Sequence, residues 1–223
     1  MNKAEITQSN TTQKFGPLKG ICCTQPGDKI KGTYFFPGAG MDGRYIQPLV
    51  QSLYEAGIKS AMYVDRDKWS GGTAFDAGIG SVLGRDYDPR FPMLLRHSTS
   101  NASQFNLIGY SYGSIIASQL AAKYAIKGTV IDNLVLIGSP ISMEFLQRLR
   151  NIVQIKKLII IDLNEYGDPI FAGMSVFELF SNLPTLAGQM PNSEGHFYYA
   201  EPTNIGDKRR NTLANELYAL GLR

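Results

Sequence analysis

The residues best suited to covalent chemistry in this 223-residue chain lie in the pentapeptide Gly109-Tyr110-Ser111-Tyr112-Gly113. The spacing Gly-x-Ser-x-Gly gains meaning from its context, because an apolar strand must enter it and a helix must leave it. Both are legible: residues 105–108 have the length and apolar character of a buried strand, and 114–125 form an Ala-rich helical stretch. A serine at that sharp turn stands clear of the sheet in strained backbone. The N-terminal N–H groups of the helix face the same space and favour developing negative charge. Glycine at 109 and 113 leaves room where a side chain would collide with the neighbouring strand and helix. The chemistry expected is attack of the Ser111 hydroxyl on a carbonyl. Serine at its free pKa is a poor nucleophile and needs a base within hydrogen-bond reach. The chain has two histidines, His97 and His196.

The surrounding elements must bring such groups together. Apolar runs predict strands over 20–24, 31–36, 59–64, 105–108, 133–137 and 157–163. Helical spacing predicts helices over 45–56, 114–125, 145–150 and 209–220, with Gly57 ending the first. Gln25-Pro26-Gly27-Asp28 is a turn and Pro37-Gly38-Ala39-Gly40 a loop. The glycine-rich stretch 65–86 is the least regular, and 89–99 is a further candidate helix. Residues 1–14 are expected to form a flexible arm, followed by a single domain over 15–223. Strands alternating with helices predict an α/β fold, a mostly parallel central sheet with helices on both faces.

The pentapeptide, its strand and its helix resemble the α/β-hydrolase superfamily, lipase/esterase-like with thioesterase-like features, over roughly residues 31–199. The resemblance implies the α/β-hydrolase fold and the chain order Ser, acid, His. His196, in Glu194-Gly195-His196-Phe197-Tyr198, is then the base, and His97, which precedes the nucleophile, is set aside. Tyr166-Gly167-Asp168-Pro169-Ile170 follows a late strand and resembles the loop that carries the acid. Asp168 is the acid expected, with Glu165 as fallback and Asp162 lying within the strand. The acid's work is to hold the imidazole tautomer and stabilise the imidazolium. An oxyanion hole is implied from the backbone N–H groups of Tyr112 and Ala39, with Gly40 and Met41 as alternatives to Ala39. Pro37 stands where the superfamily often has histidine.

Those parts imply hydrolysis through an acyl-serine, with no metal and no organic cofactor. Ile137-Gly138-Ser139-Pro140 resembles the strand end of many lipases, favouring a lipase, phospholipase or carboxylesterase acting on an acyl ester or lipid. Phe36-Pro37-Gly38-Ala39-Gly40 and Gly195-His196-Phe197 resemble type II and terminal thioesterases, the alternative. A non-catalytic ligand-binding module is the third reading. Met41 and Tyr110 are expected to surround the nucleophile with apolar surface. Phe171, Met174 and Phe177 recur at helical spacing and are expected to line an acyl groove or form a small lid, or else to belong to a core helix.

Composition is that of an ordinary globular protein, with 43% apolar residues and a net charge of +3 from 22 basic and 19 acidic residues. The short run Lys208-Arg209-Arg210 is no basic stripe, so nucleic acid is not an expected partner, whereas peripheral membrane contact is compatible with the mild positive charge. Adjacent Cys22 and Cys23 would make a strained bridge, so reduced thiols are expected. No apolar leader or membrane span is legible, so the expected location is cytoplasmic by default, with a specialised secretion route still open. The sequence assigns no protein partner.

Overall fold

In the computed structural model, residues 30–38, 43–65, 84–91, 95 and 101–223 are described. The expected arm, the strand over 20–24, both cysteines, His97 and most of the glycine-rich stretch lie outside them.

Short runs rich in aliphatic and aromatic residues make the strands β1 (Gly32–Phe36), β2 (Ala61–Tyr63), β3 (Phe105–Tyr110), β4 (Asn133–Ile137) and β5 (Leu158–Ile161). Among the described residues all pairings are parallel, in the order β2-β1-β3-β4-β5. β1, β3 and β4 are buried at every position, as strands covered on both faces must be. The helices are α1 (Ile46–Ala56), α2 (Tyr112–Ile126), α3 (Met143–Arg150), α4 (Val176–Gln189) and α5 (Asn204–Ala219). Among the described residues, no helix is long and apolar enough to cross a membrane.

Strand alternation feeds two cores. Tyr34, Phe36, Leu107, Leu134 and Leu136 pack with α2 and α3 on one face. Phe35, Ile108, Tyr110, Val135 and Ile137 pack with α1 and α5 on the other. The expected α/β layering is therefore present. The strand order reverses between β1 and β3, since the chain passes outward to β2 and then crosses back. In open parallel sheets, the crevice at the C-terminal ends of strands beside such a reversal is where ligands bind. Ser111 follows β3 and Pro37 follows β1, on its two sides.

Boundaries differ from expectation where local chemistry overrides periodicity. β3 runs on to Tyr110 and α2 begins at Tyr112, so the turn shrinks to Ser111 alone. Phe171, Met174 and Phe177 do not share a helix. Gly173 takes φ +98°, and α4 begins only after Ser175. There the Ser175 side chain accepts the Glu178 N–H and the Glu178 carboxylate accepts the Ser175 N–H, a reciprocal cap. α5 begins at Asn204, capped by Thr203 accepting the Ile205 N–H, and its polar first turns hide it from an apolar pattern.

Candidate active site

Ser111 adopts φ 54° and ψ −128°, backbone that costs an L-residue about 1–3 kcal/mol and persists only where its surroundings impose it. Its N–H donates to Ile137 O of β4 at 2.8 Å, and its carbonyl accepts the Ser114 N–H at 2.9 Å and the Ser114 hydroxyl. Ser114 Oγ also lies 2.7 Å from Ser139 Oγ. The turn thus hangs from β4 on one side and from the first turn of α2 on the other. A Cβ at Gly109 would enter the backbone of Gly113 and Ser114, and one at Gly113 would strike the carbonyls of Phe36 and Pro37. The pentapeptide closes this tightly only with hydrogen at both positions.

His196 lies in a 3-10 helix, Gly195–Ala200, and Asp168 just beyond another, Asn164–Tyr166. His196 Nε2 is 2.6 Å from Ser111 Oγ, and His196 Nδ1 is 2.8 Å from Asp168 Oδ2. The side chains of His196 and Asp168 are 6% and 0% exposed. The second carboxylate oxygen of Asp168 accepts the Ile170 N–H at 2.8 Å, which sets its orientation. With Nδ1–H given to the carboxylate, Nε2 is the ring's acceptor and faces the serine hydroxyl. Gly138, at φ +50°, underlies the pair. A Cβ there would sit 3.0 Å from Asp168 Oδ2 and 3.3 Å from His196 Cε1.

Around this chain of hydrogen bonds the backbone is braced. The Tyr110 hydroxyl donates to His196 O, and burial raises its pKa well above the ordinary tyrosine value, keeping it a donor. Tyr166 stacks on Tyr198 with centroids 3.7 Å apart, and the Arg209 guanidinium covers Tyr198 at 4.1 Å. Arg209 Nη1 also donates to Tyr198 O at 3.0 Å, and the fully buried Arg210 donates to Tyr199 O at 2.9 Å. Arg209 and Arg210 of α5 are thereby spent on the histidine loop. Among the described residues no group of three metal-ligating side chains occurs.

A nucleophilic hydroxyl, an acceptor nitrogen and a buried carboxylate in one line can take a proton from the hydroxyl as its oxygen attacks an electrophile. A family model of the α/β-hydrolase fold matches residues 94–205, half of the chain. The chain belongs to the α/β-hydrolase fold family. Neither curated proteins nor solved structures give a match. The family consists mostly of hydrolytic enzymes, and the matched stretch contains Ser111, Asp168 and His196.

Not every expected position of this α/β-hydrolase is brought to the site. Ala39, Gly40 and Met41 lie outside the described residues. The Tyr112 N–H belongs to the first turn of α2, where backbone donors have no intrahelical acceptor. Gly38 N–H is occupied, donating to the Tyr45 hydroxyl at 2.9 Å. Tyr110, expected to face substrate, is instead wholly buried against Tyr45 and Tyr199, because its position in the β3 alternation points it into the core. Met174 is 1% exposed in a small cluster with Ile170 and Leu179, whereas Phe177 is 81% exposed. With the helix starting between them, they face opposite ways and do not line one groove. Phe171 is partly buried against the Ile170–Leu179 cluster. Asp162 accepts the Ala172 N–H at 3.0 Å, and Glu165 is exposed. Sequence reasoning missed Gln189, which touches both loops, and the role of Gly138. For Gly138 the Gly-Ser-Pro turn was a usable signal; for Gln189 there was none.

Proposed function

We propose that this protein is a serine hydrolase cleaving carboxylic esters through an acyl-enzyme, with Ser111, His196 and Asp168 as its catalytic triad. The observation that carries the proposal is the buried pair of hydrogen bonds, 2.6 Å from Ser111 Oγ to His196 Nε2 and 2.8 Å from His196 Nδ1 to Asp168 Oδ2. In the proposed reaction Ser111 Oγ attacks the ester carbonyl while His196 Nε2 takes the hydroxyl proton. Asp168 stabilises the imidazolium without itself taking the proton. The tetrahedral oxyanion is held by the Tyr112 N–H and a donor from the loop after β1, assigned to Ala39. Collapse expels the alcohol, protonated by His196. Water, deprotonated by His196, then attacks the acyl carbonyl and frees Ser111.

An acyl-chain substrate, of the lipase, phospholipase or carboxylesterase type, is the class we favour. Support comes from α4, which begins eight residues after Asp168 and exposes Val176, Phe177, Phe180 and Leu183, an apolar surface of the kind that marks binding. The test is turnover by one preparation of p-nitrophenyl acyl esters, phospholipid and acyl-CoA, alongside fluorophosphonate labelling of Ser111. Ester turnover and labelling abolished by Ser111→Ala is the expected result. A strong preference for acyl-CoA would make it a thioesterase. No labelling and no turnover would leave a ligand-binding module and overturn the proposal.

A further inference from the structure

We propose that Gln189, the last residue of α4, is a positioning residue whose amide ties the Asp168 loop to the His196 loop, so that alignment of base and acid depends on the seating of α4. Its Nε2 donates to Gly167 O at 2.7 Å, one residue before Asp168. Its Oε1 accepts the His196 N–H at 3.1 Å. Its own carbonyl accepts the Glu194 N–H at 3.4 Å. One side chain thus spends its donor end on one loop and its acceptor end on the other.

Gly195 makes this possible. It takes φ +50°, and a Cβ built there would penetrate the Gln189 amide. A backbone without Cβ leaves the amide its place against the histidine loop. On the far side, the Tyr110 hydroxyl holds His196 O. The His196 peptide groups are therefore gripped from two directions, by β3 through the carbonyl and by α4 through the N–H. Since the ring's hydrogen bonds to Ser111 and Asp168 require both loops in register, loss of the amide tie frees one side of that grip.

The tie matters because the other holds on α4 are few: Leu179 and Leu186 in the small apolar cluster, and Asn182 Nδ2 donating to Pro169 O at 3.2 Å. Leu179 is its one buried residue, while Phe177 and Phe180 are 81% and 53% exposed. A helix with so little apolar anchorage is held at its C-terminal end by the polar contacts of Gln189. Displacement of α4 would reach the Asp168 loop through Gln189 and Asn182, but the His196 N–H through Gln189.

The role in turnover rests on the hydrolase reading above; the role in geometry does not. The full chain is compared with Gln189→Met, which keeps length and removes both bonds, and Gln189→Glu, which keeps only the acceptor for His196 N–H. The readouts are kcat and KM on a p-nitrophenyl ester, the fluorophosphonate labelling rate, and the NMR signal of the His196 Nδ1 proton shared with Asp168. Gln189→Met is expected to lower kcat about 10- to 100-fold with KM within about twofold, the cost of a small misplacement. Labelling should slow in parallel and the Nδ1 proton signal should broaden or vanish. Gln189→Glu should fall between the two, and it carries the test should Gln189→Met not fold. Variants that keep both kcat and the ring-proton signal of the unaltered protein would overturn the proposal. Should the unaltered protein neither turn over ester nor label, the hydrolase reading fails alone. A ring-proton signal lost in Gln189→Met would still support the tie, and its persistence there would end it.

Discussion

The two ends of the sheet both bury polar side chains, yet they are built on opposite terms. At the N-terminal end, Thr33, Asn106 and Asn133 lie in register on three adjacent strands. Asn133 Nδ2 donates to Asn106 Oδ1 at 2.7 Å, Asn106 Nδ2 donates to Thr33 Oγ1 at 2.9 Å, and Ser60 Oγ lies 3.1 Å from Thr33 Oγ1. These side chains are uncharged at any ordinary pH, sit in regular strand apart from Ser60, and are satisfied by one another together with Gln104 Oε1 and Arg223 O. At the C-terminal end, the line Ser111–His196–Asp168 joins a hydroxyl, an imidazole and a carboxyl group and hangs from a residue in strained backbone. Burial of polar groups alone therefore marks no site. A satisfied network stiffens a core, whereas strain combined with proton-transfer partners beside the strand-order reversal marks a place for chemistry.

The sharpest way to break this contrast is to mutate both ends and measure stability and turnover separately. Ser111→Ala or His196→Ala should remove about three to six orders of magnitude in turnover while thermal unfolding moves little. Asp168→Asn should cost about four orders by presenting the wrong tautomer, against at most a few-fold for Glu165→Gln in the same ester assay. Activity retained in Asp168→Asn and lost in Glu165→Gln would reassign the acid. At the other end, Asn106→Leu should strand the Asn133 amide at about 1–3 kcal/mol in urea unfolding, while the Thr33 hydroxyl keeps Ser60 Oγ as a partner. Turnover per folded molecule should survive. A folded but inactive Asn106→Leu protein would show that the ends are not independent.

The smallest effect concerns pH. Partial desolvation, then the neighbouring Asp168 carboxylate, raises the Asp162 pKa, although the Ala172 N–H pulls it down. The folded protein then holds this proton to higher pH than the unfolded chain. Its contribution to stability is full below the ordinary aspartate pKa and is lost as pH rises through the raised value. Asp162→Asn should flatten that decline in urea midpoints taken from acid to neutral pH. An unchanged slope would mean that Asp162 titrates as an ordinary aspartate.

Local patterns in the chain determined the alternation of strands and helices and the Gly-x-Ser-x-Gly turn between β3 and α2. Each depends on residues within a few positions of one another, where periodicity and turn chemistry act. The choice of His196 over His97, and of Asp168 as acid, already needed the superfamily resemblance. Only tertiary structure decided that Tyr110 turns inward to hold His196, that Met174 and Phe177 part company at the Ser175 cap, and that Arg209 and Arg210 brace a loop rather than face solvent. It alone joins Gln189 to two loops and brings together side chains 28 and 85 residues apart in the chain. Such partners are chosen by which strand ends the sheet order sets side by side, and a run of neighbouring residues carries no record of that order.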